Sequence, residues 1–378
     1  MRTLIVSDLH LGSVSGTDLL RRVELRAALL DAMADVDRVV LLGDALELRH
    51  GPMRAVMLAS RPFFEDLGRA LAGRELVMVA GNHDHALVEP WLSRRGSEHE
   101  PPALGVEQLL EPAEVSPALE RIAGWAAPAR VSVAYPGIWL RPDVYATHGH
   151  YLDCHLTVPT LERLSLGAMT RLLGRPASAF DCVGDYEATV APVFAWRDAV
   201  ARDAHTGPAL NGAATVSAWQ ALRGESGRPI RGYTKALQRL RGAAIAAAFP
   251  VAISALNRAG VGPLRADISM TELRRAGLSA MGEVAARLQL GDAYVVFGHT
   301  HRAGPLPDDA QHEWRGRDGA RLVNTGSWTY SSIFLTAKPG ESPYWPGVCV
   351  LVDGDGPPTV KRLLQDRTYV QIASSTLP

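Results

Sequence analysis

The 378-residue chain is 47% hydrophobic and carries a net charge of −1 at pH 7, enough apolar material for one large core or two ordinary ones without crosslinks. Its three cysteines, Cys154, Cys182 and Cys349, are odd in number and far apart, which excludes a disulfide framework and a CxxC metal knuckle and favours a reducing compartment. The opening MRTLIVSDLH runs directly into a β-like segment without the zones of a signal peptide, so a cytoplasmic location is expected.

Taken in chain order, runs rich in Val, Ile and Leu each precede a polar cluster: TLIV before Ser7, RVVLL before Gly43, LVMVA before Gly81, AYVVF before Gly298 and RLV before Asn324. They read as buried strands whose carboxyl ends open into loops. Between the first two, Leu19, Leu20, Val23, Ala27, Leu30 and Met33 recur at helical spacing. A second helix is expected from about Pro62 to Leu71, with Pro at its start and Gly73 beyond its end. This alternation predicts an α/β core, in which ligand sites gather at strand carboxyl ends. From 156 to 289 the pattern turns Ala-, Leu- and Arg-rich and helical, and is read as an insertion between core segments 1–155 and 290–378. The C-terminal runs VCVLV and TYVQI are expected to be further strands, joined by DGDGPP.

The chemistry is carried by five clusters: Asp8 and His10 in SDLH, Asp44 in GDALE, Asn82, His83 and Asp84 in GNHD, His148 in THGH, and His299 with His301 in GHTH. Their donors are hard oxygens and imidazoles without thiolate, a set suited to Mn²⁺ first, with Fe or Zn²⁺ as alternatives. In extended backbone the DxH and HxH spacings would put both side chains on one face. A single DxH or GD turn is usually structural. Five such clusters at strand ends would be costly to bury without cations to neutralise them.

DxH, GDxxE, GNHD, HGH and GHTH in this order resemble the calcineurin-like metallophosphoesterase family, over about residues 1 to 155 and 290 to 330. The resemblance implies a two-sheet α/β/β/α sandwich, with the helical insertion as a cap, and two divalent metal ions. One ion would be held by Asp8, His10 and His301, the other by Asn82, His148 and His299, with Asp44 bridging. It further implies attack on phosphorus by a metal-bridging hydroxide, with His83 assisting at the phosphoryl group or leaving oxygen and Asp84 fixing its tautomer. Of the neighbours, Glu47, His85, His150, Asp153 and His155 are candidates to orient ligands or touch substrate, and Asn324 to Ser327 are read as a structural turn.

SDLHLG, GDALE and GHTHR look most like the UDP-2,3-diacylglucosamine pyrophosphatase branch, which also carries a helical insertion, though a shorter one and with Arg at the position of His83. A phosphorylated small-molecule or lipid-linked substrate is therefore expected. The basic run Arg223–Arg241 followed by the uncharged stretch 242–257 could bind an anionic membrane surface, at the inner face of the membrane. A buried helix pair is the plainer reading. Without interleaved aromatics the run makes a poor nucleic-acid track, so a nuclease is a minor alternative. A phosphate loop is excluded because none of the three lysines follows glycine, and neither HExxH nor GxSxG occurs. The alternative outside enzymes is an interaction scaffold of the same fold.

Overall fold

The structure is a computed structural model, and it describes every residue except 50, 175–179, 203–247, 268, 332–334, 336–338 and 374–378, with the side chains of 199–202 also outside the description. The basic run Arg223–Arg241 and residues 242–247 of the uncharged stretch therefore lie outside the described residues. The remainder of that stretch belongs to a helix at 248–258, in which Ile253 is buried and Val251 exposed. Among the described residues, no helix is long and apolar enough to cross a membrane.

The runs expected as strands form, TYVQI excepted. β1 (Thr3–Val6), β2 (Arg38–Leu42), β3 (Glu75–Val79), β4 (Glu107–Leu110), β5 (Arg130–Arg141), β6 (Val144–Thr147), β7 (Tyr294–Phe297), β8 (Ala303–Gly304), β9 (Arg321–Thr325), β10 (Val348–Val352) and β11 (Thr359–Arg362) follow one another along the chain. They hydrogen-bond in the order β11-β10-β1-β2-β3-β5-β6-β7-β9-β8, with β4 against β5. β1, β2, β3 and the first half of β5 run parallel, as do β6, β7 and β9.

β5 joins two half-sheets. Arg130 to Ala134 pair with β3, while Gly137 to Arg141 pair with β6. Pro136, which cannot donate to a ladder, stands between the two pairings. The halves then face each other: Ile5, Val40, Val77 and Val350 from one cluster with Ile138, Val144, Val296 and Val323 from the other, and among the described residues no helical side chain joins this cluster. The alternate side chains point outward beneath helices. On one outer face Leu4, Val39, Leu41 and Met78 pack with α1 (Val23–Ala32), α2 (Met53–Ala70) and α5 (Pro117–Trp125), the last preceded along the chain by the short helices α3 (Glu89–Gly96) and α4 (Pro112–Val115). On the other, Tyr145, Val295, Phe297 and Leu322 pack with α6 (Leu161–Leu172), α7 (Val183–Arg202) and the Met270–Arg287 helix. This is the expected α/β/β/α sandwich.

Three local expectations are corrected. TYVQI is a short helix, Tyr369–Ala373, and TVKR, after DGDGPP, supplies the edge strand β11. Its polar character suits an edge, where one face meets water. The second helix begins at Met53 and carries Pro62 inside it. Pro62 is exposed, so the carbonyl its missing N–H leaves free meets solvent. The first helical pattern divides into a 3₁₀ turn, Leu19–Arg21, and α1.

Candidate metal centre

The parallel strands of both half-sheets deliver the polar clusters to one edge. Asp8 and His10 follow β1, Asp44 follows β2, Asn82 follows β3, His148 follows β6, and His299 and His301 follow β7. The backbone there is not extended, contrary to the expectation from DxH and HxH. Asp8, His10, Asp44, His299 and His301 lie at φ 55°, 45°, 51°, 64° and 58°. They are five of the six non-glycine residues with positive φ among the described residues. Left-handed backbone disfavours L side chains and persists where surrounding contacts enforce it, commonly at functional sites.

Two glycines show how tightly the loops converge. A Cβ at Gly81 would sit 2.2 Å from Asp44 Oδ1, and one at Gly298 would sit 2.2 Å from Ser7 Oγ and 2.5 Å from Asp8 Oδ2. Glycine before Asn82 and before His299 therefore makes room for carboxylates arriving from other strands.

Three groups of donor atoms gather within 4.8 Å: Asp8, His10 and His301; His10, Asp44 and His83; and Asp44, His148 and His299. In the first, Asp8 Oδ1 lies 3.1 Å from His301 Nε2 and 3.9 Å from His10 Nε2, and the two ring nitrogens are 3.2 Å apart. In the third, Asn82 Oδ1 lies 3.0 Å from His148 Nε2 and 2.9 Å from His299 Nδ1. Asp44 Oδ2 faces both groups, 3.7 Å from His10 Nε2 and 3.3 Å from His148 Nε2. Donors bound at about 2.1 Å to one ion stand roughly 3 Å apart, so these spacings suit a shared cation.

Two further observations test that fit. Asp8 Oδ1 is buried without a hydrogen-bond partner, while Oδ2 accepts from Ser7 Oγ and from the His299 amide. A buried carboxylate oxygen left this way is costly unless a cation takes it. Asn82 Oδ1 faces two ring nitrogens and Asp44 Oδ2, acceptor against acceptor wherever those nitrogens carry no proton. Rotated by half a turn, the amide would donate to those atoms and accept from Arg49 Nη1 at 2.9 Å, the arrangement a metal-free cluster favours. The unrotated one is favourable when positive charge sits between these atoms, from a bound metal ion or from protons on the rings.

The far nitrogens of the rings are held. His10 Nδ1 is 2.8 Å from Glu47 Oε2, His148 Nδ1 is 3.0 Å from the Leu42 carbonyl, His299 Nε2 is 2.9 Å from Asp153 Oδ2, and His301 Nδ1 is 3.3 Å from Thr329 Oγ1. Such contacts fix the tautomer and aim the other nitrogen inward, as around metal sites generally. Charge follows the same geometry. Burial opposes ionisation of Asp8, yet His301 beside it holds its carboxyl at about 2. Burial likewise opposes charge on His148, and Asp44 lifts it to about 9.

His83 is placed differently from its expected partner. Asp84 does not reach its ring: the Asp84 carboxylate accepts from the amides of Asp44, Ala45, Leu46 and Gly81. A carboxylate so close in sequence is drawn to the unpaired N–H groups of the two turns. Glu47 instead holds His83, with both oxygens 2.9 Å from Nδ1, and bridges it to His10. Burial above all, and the charged His10 beside it, press His83 down to about 4, leaving a neutral ring at neutral pH.

Of the other neighbours, Asp153 braces His299. His85 pairs with Glu187 on α7, and His155 with Tyr186 Oη at 2.7 Å. His150 is buried with neither ring nitrogen partnered and packs against Tyr151 and Phe194. Asn324 donates to the Gly298 carbonyl at 2.8 Å and Thr325 Oγ1 lies 2.6 Å from Ser7 Oγ, so this turn braces the loops that carry Asp8 and His299. Arg49, absent from the sequence reading, lies buried against Asn82 and 4.7 Å over the Phe194 ring. No motif marks it.

Asp44, Asn82, His83, His299 and His301 open into a cavity of about 310 Å³. Residues 1–173 match the family model described as calcineurin-like phosphoesterase. That span takes in the β1, β2, β3 and β6 clusters but not His299 and His301, and it is under half of the 378 residues. No curated protein matches the chain. The match and the clustered donors support a metal-dependent phosphoester hydrolase in general terms.

Proposed function

We propose that the protein is a binuclear metal-dependent hydrolase of phosphate esters or pyrophosphates. The observation that carries this reading is Asp44 Oδ2, one carboxylate oxygen facing the donor groups on either side of it. Asp8, His10 and His301 hold one divalent ion, Asn82, His148 and His299 the other, and Asp44 joins them. Mn²⁺ is the first choice, with Fe or Zn²⁺ as alternatives. Ions bound there would supply Lewis acidity to an attacking water and to the phosphoryl oxygens. Among the protein's own groups, Glu47 holds His83 Nδ1 and orients a ring that lines the cavity, where it would meet a phosphoryl or leaving-group oxygen. The segment 156–289 acts as the cap that admits substrate. The finer reading, a nucleotide-sugar or lipid-linked pyrophosphate, rests on the SDLHLG, GDALE and GHTHR resemblance.

Activity and metal content together test the proposal. Two transition ions per chain, with turnover of p-nitrophenyl phosphate, are expected, whereas a metal-free, inactive protein supports a scaffold. His83→Gln is expected to keep both ions and lose turnover by about a hundredfold, because an amide cannot carry a proton between oxygens. Undiminished turnover in that variant would remove His83 from the chemistry.

A further inference from the structure

The cavity beside the metal centre has more room and a different character than the donor cluster needs. Its walls include Leu152, Leu156, Leu273, Leu278, Phe297 and Trp314, drawn from the turn after β6, the Met270–Arg287 helix, β7 and the turn before β9. Ligand sites combine such apolar walls with a few placed polar groups.

Most of the polar wall is already committed. Asp153 braces His299, Glu162 takes Arg197 Nη1 at 3.0 Å, and Arg302 pairs with Asp309. Arg274 Nη2 is 2.7 Å from Glu313. What remains is donors: Arg274 Nε and Trp314 Nε1 are buried and without an acceptor, and both side chains line the cavity. A buried N–H left unpaired costs about 1–3 kcal/mol, a deficit that a ligand acceptor would relieve.

Gly277 adds an independent sign. It is buried in the interior of the Met270–Arg287 helix, on the face that carries Leu273 and Arg274 to the cavity wall. Glycine there weakens a helix by about 1 kcal/mol relative to alanine. Yet a Cβ at Gly277 would meet only Thr300 Cγ2, at 3.7 Å, an ordinary contact. Helix packing does not require glycine at this position; the side chain it omits would enter the cavity.

We propose that this cavity is the leaving-group subsite, that it takes a flat aromatic or heteroaromatic group bearing a hydrogen-bond acceptor, and that Gly277 sets its width while Arg274 and Trp314 supply the donors. This rests on the phosphoester hydrolase reading. Water adds to phosphorus, the P–O bond to the aromatic alcohol breaks, and the leaving oxygen takes up the proton released by the water. His83 lines the same cavity and would meet that oxygen.

The test compares methylumbelliferyl phosphate, naphthyl phosphate and glycerol phosphate on the Mn²⁺-loaded protein. Gly277→Leu, which strengthens the helix, is expected to raise KM about tenfold for both aromatic esters. The KM for glycerol phosphate should rise by much less than that for either aromatic ester, and metal content should match wild type. Trp314→Phe should raise KM several-fold more for methylumbelliferyl phosphate, which has a ring carbonyl, than for naphthyl phosphate, which has none. Calorimetry with a non-hydrolysable naphthyl phosphonate reads the subsite without turnover: wild type should bind and Gly277→Leu should lose about tenfold in affinity. Equal binding by both proteins overturns the proposal. If binding differs as expected but no ester is hydrolysed with metal present, the subsite stands and the hydrolase reading fails.

Discussion

Asp44→Asn is expected to lower bound metal and p-nitrophenyl phosphate turnover together, each by at least about a hundredfold. Asn nearly matches Asp in shape, and its carbonyl can still accept the His83 amide that Asp44 Oδ1 takes at 2.7 Å, so the loop should keep its path. What disappears is the negative charge at Oδ2, placed between His10 Nε2 and His148 Nε2. No other carboxylate reaches both donor groups among the described residues. The carboxyl is suited to that place: burial resists its ionisation, but His148, His83 and His10 hold it well below the usual carboxylate range. Metal analysis after gel filtration, with turnover on the same sample, reads the result. A variant that retains two ions and full turnover would show that Asp44 does not join the two groups. Loss of one ion only would assign Asp44 to a single site.

The clustering of the donor side chains was legible in the sequence because each follows a short apolar strand, and parallel strands carry their carboxyl ends to one edge. Apolar runs such as TLIV, RVVLL and AYVVF, read as buried strands that open into loops, were enough to suggest one shared sheet edge. The backbone of those loops was not legible. DxH suggests extended alternation, but Asp8 and His10 take left-handed conformations that only the convergence of β1, β2 and β7 loops enforces. Glu47 against Asp84 shows the same limit: both carboxylates lie near His83 in sequence, and the choice depends on which unpaired amides the GDALE and GNHD turns present. TVKR has too little apolar character to announce a strand, and pairs because β10 leaves an edge to cover. The cavity could not be foreseen at all, since Gly277 and Trp314 meet His299 only through tertiary packing.

Glu187→Ala is expected to cost about 3–5 kcal/mol of stability, because it leaves several buried donors without their acceptor. Glu187 is 6% exposed on α7. Its carboxylate accepts from Tyr135 Oη of β5 at 2.6 Å and from Tyr151 Oη of the turn after β6, and lies 3.2 Å from His85 Nε2 of the turn after β3. One side chain thus ties α7 to both half-sheets near the metal centre. Burial and the Glu187 charge push both phenols well above their ordinary range, so they remain donors. Burial opposes charge on Glu187 itself, but His85 and the two hydroxyls hold its carboxyl below its usual value. A carboxyl lowered on folding contributes stability that is complete above its unfolded value of about 4.3 and is lost as pH falls through the folded one. Urea unfolding of the metal-free protein at neutral pH should place Glu187→Ala lowest and Glu187→Gln between it and wild type, since the amide carbonyl still accepts from a tyrosine. The gap between wild type and Glu187→Gln should close toward acid. A Glu187→Ala protein within about 0.5 kcal/mol of wild type would mean that water satisfies these groups as well as α7 does, and that α7 is not anchored through them.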